Sequence, residues 1–468
     1  MERDVHGRAL QEPDDVVRSK AAMWGELWLS TSTPSTPTWI EPLRRAAARQ
    51  DREEITTEEL DAAMSCFSRR VGQGADCQNP RWWRSLPSGA HQHLITLLTA
   101  IEEELVWPTA MTLNIVQLIY KGVEADRPIT LTQGLYRLWS RIRKRDVSSW
   151  TRTHAGHWDR AVAGSAPLRA ALLRQAKLEL ATVQGFSWVE VLWDLTKFYD
   201  FVNLQVVADV GLAQSYPIVN LTLGLVMAMA PRRIRADGCI SECLVPTRSL
   251  IAGCGQAVDF SRLALYEVLD HLHARYRPLE LNSWVDDLGH QEVGHTSSVA
   301  TRAISVSTEL VTGLQARGFK MSGKSALLAS SQDLGKKVQA ALAEAGIEVN
   351  LSQHARDLGI DGHARRRSTK VLQARLRTAG RKAGVIKHLV KVRRETRILC
   401  RTGYRPTIWG LEGQGISPTT LLRLRGQVAA MSGCRAPGGC STTAIRLGLG
   451  SAADPTVSAP KQILGEWL

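Results

Sequence analysis

Two short acidic stretches hold the residues best suited to chemistry. Asp194 lies in Trp193-Asp194-Leu195-Thr196-Lys197-Phe198-Tyr199-Asp200. Asp286 and Asp287 are adjacent in Ser283-Trp284-Val285-Asp286-Asp287-Leu288, 92 residues further on. Crowded carboxylates repel and raise one another's pKa unless a cation sits among them. Mg²⁺ is the usual partner, a hard ion that takes carboxylates and substrate phosphates together. If the stretches meet, Asp194, Asp286 and Asp287 can hold two ions that stabilise the attacking and leaving oxygens of a displacement at phosphorus. That chemistry also needs positive charge on a departing pyrophosphate. Lys121, Arg127 and Lys324 are the candidates for it.

The elements around these residues must position them. Residues 189–195 read as a buried strand ending in a carboxylate, and 286–287 as the tip of a tight hairpin. Residues 111–120 read as a strand leading through Lys121 and a turn at 122–126 into Arg127-Pro128-Ile129-Thr130-Leu131. On its own this is a solvated hairpin tip. Gly253-Cys254-Gly255 opens a helix over 258–275, and glycine there lets the backbone approach a ligand at a helix N-terminus. Helices are expected at 93–104, 133–145, 167–182, 203–213 and 297–317, with short strands near 349 and 358–360. The basic end of 133–145 suits a helix C-terminus. Thr56-Thr57-Glu58-Glu59 reads as a helix start. Residues 1–35 are polar and mixed, expected as a linker or mobile leader. The last forty residues have few apolar anchors and are expected to be loosely ordered.

The 468 residues suffice for roughly two to four cored units. A composition 44% hydrophobic and 22% charged is that of a folded chain. Net charge is 59 − 45 = +14. Residues 356–405 hold 16 Lys or Arg against three acidic residues, or +13 in one segment. Apolar residues recur there at helical intervals, so the expectation is amphipathic helices with a cationic face for a nucleic-acid backbone. The eight cysteines are scattered, and Cys239 and Cys243 lack the further ligands of a zinc site. Free thiols in a reducing compartment are expected. The apolar run 219–230 is too short to span a bilayer and reads as a core helix. No membrane partner and a nuclear or cytoplasmic location are expected.

In order along the chain, these segments resemble the reverse transcriptases of non-LTR retrotransposons and group II intron-like elements. Lys121 and Arg127-Pro128-Ile129 are similar to the fingers hairpin with its RPI motif. Asp194 to Tyr199-Asp200 resembles the first catalytic motif, D-x4-F-D. Arg248 to Ala257 resembles the Gly-rich helix start of the second. Trp284-Val285-Asp286-Asp287 resembles F/Y-x-D-D, Gly318 to Lys324-Ser325 resembles G-x5-K-T, and Leu358-Gly359 resembles the primer-grip turn. Order and spacing over roughly residues 55–430 carry the resemblance.

The resemblance implies an α+β right-hand polymerase, with fingers, a palm with an antiparallel sheet and helices, and a helical thumb. The expected divisions are a polar leader or linker (1–55), fingers and start of palm (56–185), palm with the catalytic carboxylates (186–362), basic helical thumb (363–430) and a loosely ordered C-terminal segment (431–468). The implied activity is RNA-directed DNA synthesis, extending a primer 3′-OH with dNTPs. Asp194, Asp286 and Asp287 would bind two Mg²⁺, with Mn²⁺ as substitute. Tyr199 would be the steric gate against a ribose 2′-OH. Lys121 and Arg127 would contact the triphosphate, Lys324 would protonate pyrophosphate, and Gly253 and Gln256 would pack near the nascent base pair. Partners would be an RNA template, a DNA or RNA primer and dNTPs, with 365–405 on the nucleic-acid backbone.

Three departures stand out. Trp284 replaces Phe or Tyr, Ala252 stands where Gln precedes the motif's glycine, and Ser325 replaces Thr. No endonuclease, RNase H or zinc knuckle is recognisable, so these would act from elsewhere, or the copy is decayed. The alternatives are a catalytically inactive reverse-transcriptase-like nucleic-acid-binding protein and, from the shared palm, an RNA-dependent RNA polymerase, which the large side chain of Tyr199 disfavours. Priming, template choice and oligomeric state are open at this level.

Overall fold

The computed structural model describes residues 12–29, 37–50, 52–122, 125–364, 369–434 and 438–467. The fold is mixed α and β, with antiparallel and mixed sheets among many helices. The chain forms two compact units that interleave in sequence. The first takes Met1–Ala163, Asp194–Leu288 and Thr308–Ser322, and the second takes Gly164–Trp193, Gly289–Ser307 and Gly323–Leu468.

The first unit holds a four-stranded sheet in the order Ala125–Leu131, Asn114–Gly122, Arg232–Ala236, Cys239–Ile240. The first pair is antiparallel, with Ile119 opposite Arg127 and Gln117 opposite Ile129. The second is parallel and the third antiparallel. Alternation turns Val116 and Ile234 to one face, where they are buried under Trp24 and Trp28. Those tryptophans come from a helix, Pro13–Trp28, which corrects the expected leader over that span. Pro13 opens it and Asp14 and Asp15 sit in its first turn. Val17, Ala21, Trp24 and Trp28 form its buried stripe. The remainder of the expected leader, 1–11 and 30–36, lies outside the described residues.

Thr56 and Glu59 form a capping box at the start of the helix Thr57–Ser65, where the sequence placed one. The basic end expected at 141–145 is different. The chain makes two helices there, Gly134–Ile142 and Lys144–His154. Arg143 is buried in a forked pair with Glu102, 2.6 Å at its closer arm, and Trp139 Nε1 also donates to Glu102 at 2.7 Å. Lys144 reaches the buried Asp259 at 2.7 Å. These cations are partners of internal carboxylates rather than a solvated helix terminus. At the centre of the unit runs the helix Ala257–Arg275, with eleven buried side chains.

The strands Asp287–Gly294, which enters the second unit at Gly289, Ser187–Trp193, Ala326–Ala329 and Asn350–Leu351 lie side by side in that order. Val189 pairs antiparallel with Ala329, and Ala326 pairs parallel with Asn350. A two-residue hairpin joins His354–Asp357 to Ile360–His363 through Leu358 and Gly359, both at positive φ (43° and 87°). The helix Lys370–Val392 follows, and Asp361 accepts from its first amides, Val371 N at 2.9 Å. Residues 365–368, the start of the expected basic segment, lie outside the described residues.

Leu372, Leu376, Ile386 and Val390 of that helix share a core with Leu424, Val428, Ala444, Ile445 and Ala459. The described part of the expected loose C-terminal segment is therefore packed helix, Ser441–Leu449 and Pro455–Trp467. Its anchors are few, Ile445 with Ala444, Ala453 and Ala459. Asp454 ties the end down by accepting from Arg425 Nε at 3.0 Å. All eight cysteines are free. Among the described residues no helix is long and apolar enough to cross a membrane.

Candidate functional site

Asp194 immediately follows the strand Ser187–Trp193. Its carbonyl accepts from Ser322 N at 2.8 Å and Thr196 N donates to Lys320 O at 2.9 Å. Leu195 bridges Met321 between them. This short antiparallel pairing fixes the backbone of Asp194 and leaves its carboxylate exposed. Lys197 then turns the chain at φ 46°, its ammonium 4.5 Å from the centre of the Trp24 ring. One helical turn follows, Phe198–Phe201.

Asp200 in that turn faces inward. It accepts from Trp28 Nε1 at 2.8 Å. Burial pushes its pKa up, opposed by the Trp28 hydrogen bond and by Arg232, Lys197 and Arg248. Arg232 itself is fully buried, 4.7 Å over the Trp28 ring, and burial lowers its pKa to about 10. Asp200 is thus a structural carboxylate that holds the turn onto the N-terminal helix.

Tyr199, between them, is half-buried. Its carbonyl accepts from Leu250 N at 2.9 Å. Burial raises the pKa of its phenol, with the Asp286 carboxylate and Cys254 adding to the rise and Ser261 opposing it. The first acidic stretch therefore lies within electrostatic reach of the second.

The second stretch rests on the strand Glu280–Trp284. Ser283 N donates to Trp158 O and Arg160 N donates to Ser283 O, both at 2.8 Å, while Arg160 Nε reaches Asn282 Oδ1 at 2.8 Å. Val285 holds φ 61°, unusual for a β-branched side chain, and Ser283 Oγ donates to its carbonyl at 3.2 Å. Asp286 and Asp287 are both exposed and Trp284 is half-buried. A strained, well-anchored turn presenting carboxylates is where functional residues concentrate.

The glycine-rich turn meets the hairpin strand. Thr130 N donates to Ala252 O at 2.7 Å. Gly253 holds φ 103°, and a Cβ there would stand 3.1 Å from Thr130 O. Both the conformation and the close approach require glycine. Cys254 Sγ is 3.0 Å from Tyr136 OH. Gln256 is buried, with neither amide atom hydrogen-bonded to protein. Arg127 is exposed two positions before Ile129, whose Cγ2 would lie 3.5 Å from that same Cβ. Lys121 lies on the strand Asn114–Gly122, and its side chain is outside the described residues. Lys324 belongs to the second unit, exposed just before the buried Ser325.

Most of the sequence-derived candidates (Asp194, Asp286, Asp287, Tyr199, Arg127, Gly253, Gln256) thus fall in the first unit, with Lys324 in the second. Among the described residues no three His, Cys, Asp or Glu side chains cluster closely enough to hold a metal ion. Sequence reasoning missed Trp28 and Arg232, whose link to Asp200 spans 172 and 32 positions. No protein-family model matches the chain, and no curated protein matches it.

Proposed function

We propose that the chain is an RNA-directed DNA polymerase of the non-LTR retroelement type, built as a right-hand polymerase and extending a primer 3′-OH with dNTPs. The observation that carries this reading is the meeting at Tyr199. Its carbonyl accepts from Leu250 N at 2.9 Å, in the segment that runs into the Gly253 turn, and its phenol feels the carboxylate of Asp286. The Gly253 turn in turn packs on the strand bearing Arg127. Four motifs distant in sequence are thereby linked within one unit, three by contacts and Asp286 by its charge.

Exposed carboxylate oxygens suit Mg²⁺, which needs one or two carboxylates and takes its remaining ligands from water and substrate phosphates. Asp194 and Asp286 would hold it, with Asp287 beside them. Two such ions would stabilise the attacking and leaving oxygens. In the reaction the primer 3′-oxygen bonds to the α-phosphorus and the bond to the β,γ-pyrophosphate breaks. Arg127 and Lys121 hold the triphosphate. Tyr199 occupies the space a ribose 2′-OH would need, and Gly253 lets the backbone approach the nucleotide.

A second reading, a catalytically inactive nucleic-acid-binding relative, is favoured by Trp284 at the carboxylate turn. Primer extension on poly(rA)·oligo(dT) with Mg²⁺ or Mn²⁺ separates the two. Incorporation of dTTP that disappears in Asp286→Asn supports the polymerase. Salt-sensitive RNA binding without any incorporation supports the binder.

A further inference from the structure

Asp286 stands on an exposed turn with a strained backbone at Val285, and such a turn persists only where its surroundings hold it. The strand behind it, Glu280–Trp284, is clasped at Ser283 by the segment 158–160. Trp158 O accepts from Ser283 N, Ser283 O accepts from Arg160 N, and Asp159 bridges Ser283 in parallel. A buried ion pair ties that segment to the helix Ala257–Arg275. Arg262 Nε donates to Asp159 Oδ2, the two side chains being 3% and 4% exposed. The other guanidinium nitrogens reach Asp259 Oδ1 at 2.8 Å and Ala161 O at 3.3 Å. Asp159 Oδ1 accepts from Ala161 N at 2.8 Å and so shapes the segment itself. Trp158 meets Tyr266 of the same helix edge-on, centroids 5.7 Å apart at 78°. On the strand side, Arg160 Nε donates to Asn282 Oδ1 at 2.8 Å.

We infer that Asp159, Arg160 and Arg262 are positioning residues that hold the carboxylate of Asp286 in place for a divalent cation and thereby set the affinity for it. This rests on the assignment of Asp286 as a metal ligand. If the turn takes the binding geometry only part of the time, apparent affinity falls by that fraction. Arginine suits the task because its rigid fork addresses three segments at once, where an ammonium offers a point charge. Apolar side chains of similar volume would stabilise the core as well or better, so direction is what the buried pair adds. All of these groups lie in the first unit.

Binding of Mn²⁺ to the whole chain, without primer or nucleotide, is read from the electron paramagnetic resonance of free Mn²⁺. Wild type, Asp159→Asn, Arg160→Met and Asp286→Asn are compared, with circular dichroism and melting temperature taken on each. Asp286→Asn should lose most of the binding. Asp159→Asn keeps an acceptor for Ala161 N but removes the counter-charge of Arg262, and should raise Kd about 10-fold, the low end of what loss of an outer support costs a metal site. Arg160→Met leaves the buried pair intact and should raise Kd about 3-fold, the scale of one hydrogen bond. If Asp159→Asn does not fold, Arg160→Met decides. A lower melting temperature with wild-type Mn²⁺ affinity in the deciding variant overturns the inference. So does a wild type that binds no Mn²⁺, or binding that is unaltered in Asp286→Asn. In primer extension the Mg²⁺ concentration for half-maximal rate should rise in parallel while KM for dTTP at saturating Mg²⁺ holds. A raised KM with an unchanged Mg²⁺ requirement overturns the inference. If wild type binds Mn²⁺ through Asp286 yet extends no primer, the polymerase reading fails and the Kd values alone decide the inference.

Discussion

Asp200 and Asp286 are both aspartates within two positions of an aromatic motif residue, and their surroundings give them opposite work. Asp286 is exposed on the Val285 turn. Changing it to Asn should reduce primer extension at least about a hundredfold, the scale of removing one preorganised electrostatic group. The melting temperature should barely move, since exposed positions change stability by about 0.5 kcal/mol or less. Asp200 is buried against Trp28 with Arg232 nearby. Changing it to Ala leaves Arg232 buried without its counter-charge and should cost roughly 3–5 kcal/mol in chemical denaturation. Wild-type stability in that variant would deny Asp200 its structural role. Gly253→Ala places a Cβ 3.1 Å from Thr130 O at φ 103°. It should destabilise by about 1–2 kcal/mol and raise KM for dNTP, both readable from one preparation.

At the scale of elements, the strand Ser187–Trp193 delivers Asp194 to its position and carries a buried acid of its own. Glu190 accepts from Gln291 Nε2 at 2.7 Å, beside the Arg174–Asp357 pair. Burial raises its pKa to about 7, with Asp357 adding and Arg174 and Gln291 opposing. The folded value stands above the ordinary 4.5, so the fold favours the neutral acid. That contribution is complete below pH 4.5 and is lost as pH rises through about 7, at most about 3 kcal/mol in all. Urea denaturation at about pH 5 and about pH 8 should show the decline. Glu190→Gln should flatten it, and an unaltered slope in that variant would assign the pH dependence elsewhere. Burial likewise overrides local appearance where two helices meet at Arg143. A run of basic residues reads as solvated, yet Arg143 and Lys144 are committed to Glu102 and Asp259.

For the molecule as a whole, charge is the dominant quantity. The net +14 is concentrated in the second unit, where Arg377, Arg381 and Lys382 stand exposed on the helix Lys370–Val392. Its opposite face is packed into the helical core. Replacing these three with Gln should weaken binding to single-stranded RNA and reduce the slope of log K against log salt by about 2, or about 0.7 per lost phosphate contact. Circular dichroism should be unchanged, because the buried face is untouched. An unchanged salt slope would take this helix out of the nucleic-acid interface.

Local chemistry in the chain was enough to place many helices and strands within a few residues, the helix start at Thr56, the turn at Leu358-Gly359 and the chemical candidates themselves. Each of these is written in near neighbours: an alternation, a capping pair, a glycine where φ must be positive. The tertiary structure alone decided that the units interleave, that the first helix buries Trp28 against Asp200, and that a few residues around Ile445 anchor the C-terminal helices. Those outcomes depend on which surfaces meet across long stretches of chain. A tryptophan in a polar segment carries no mark of its distant partner.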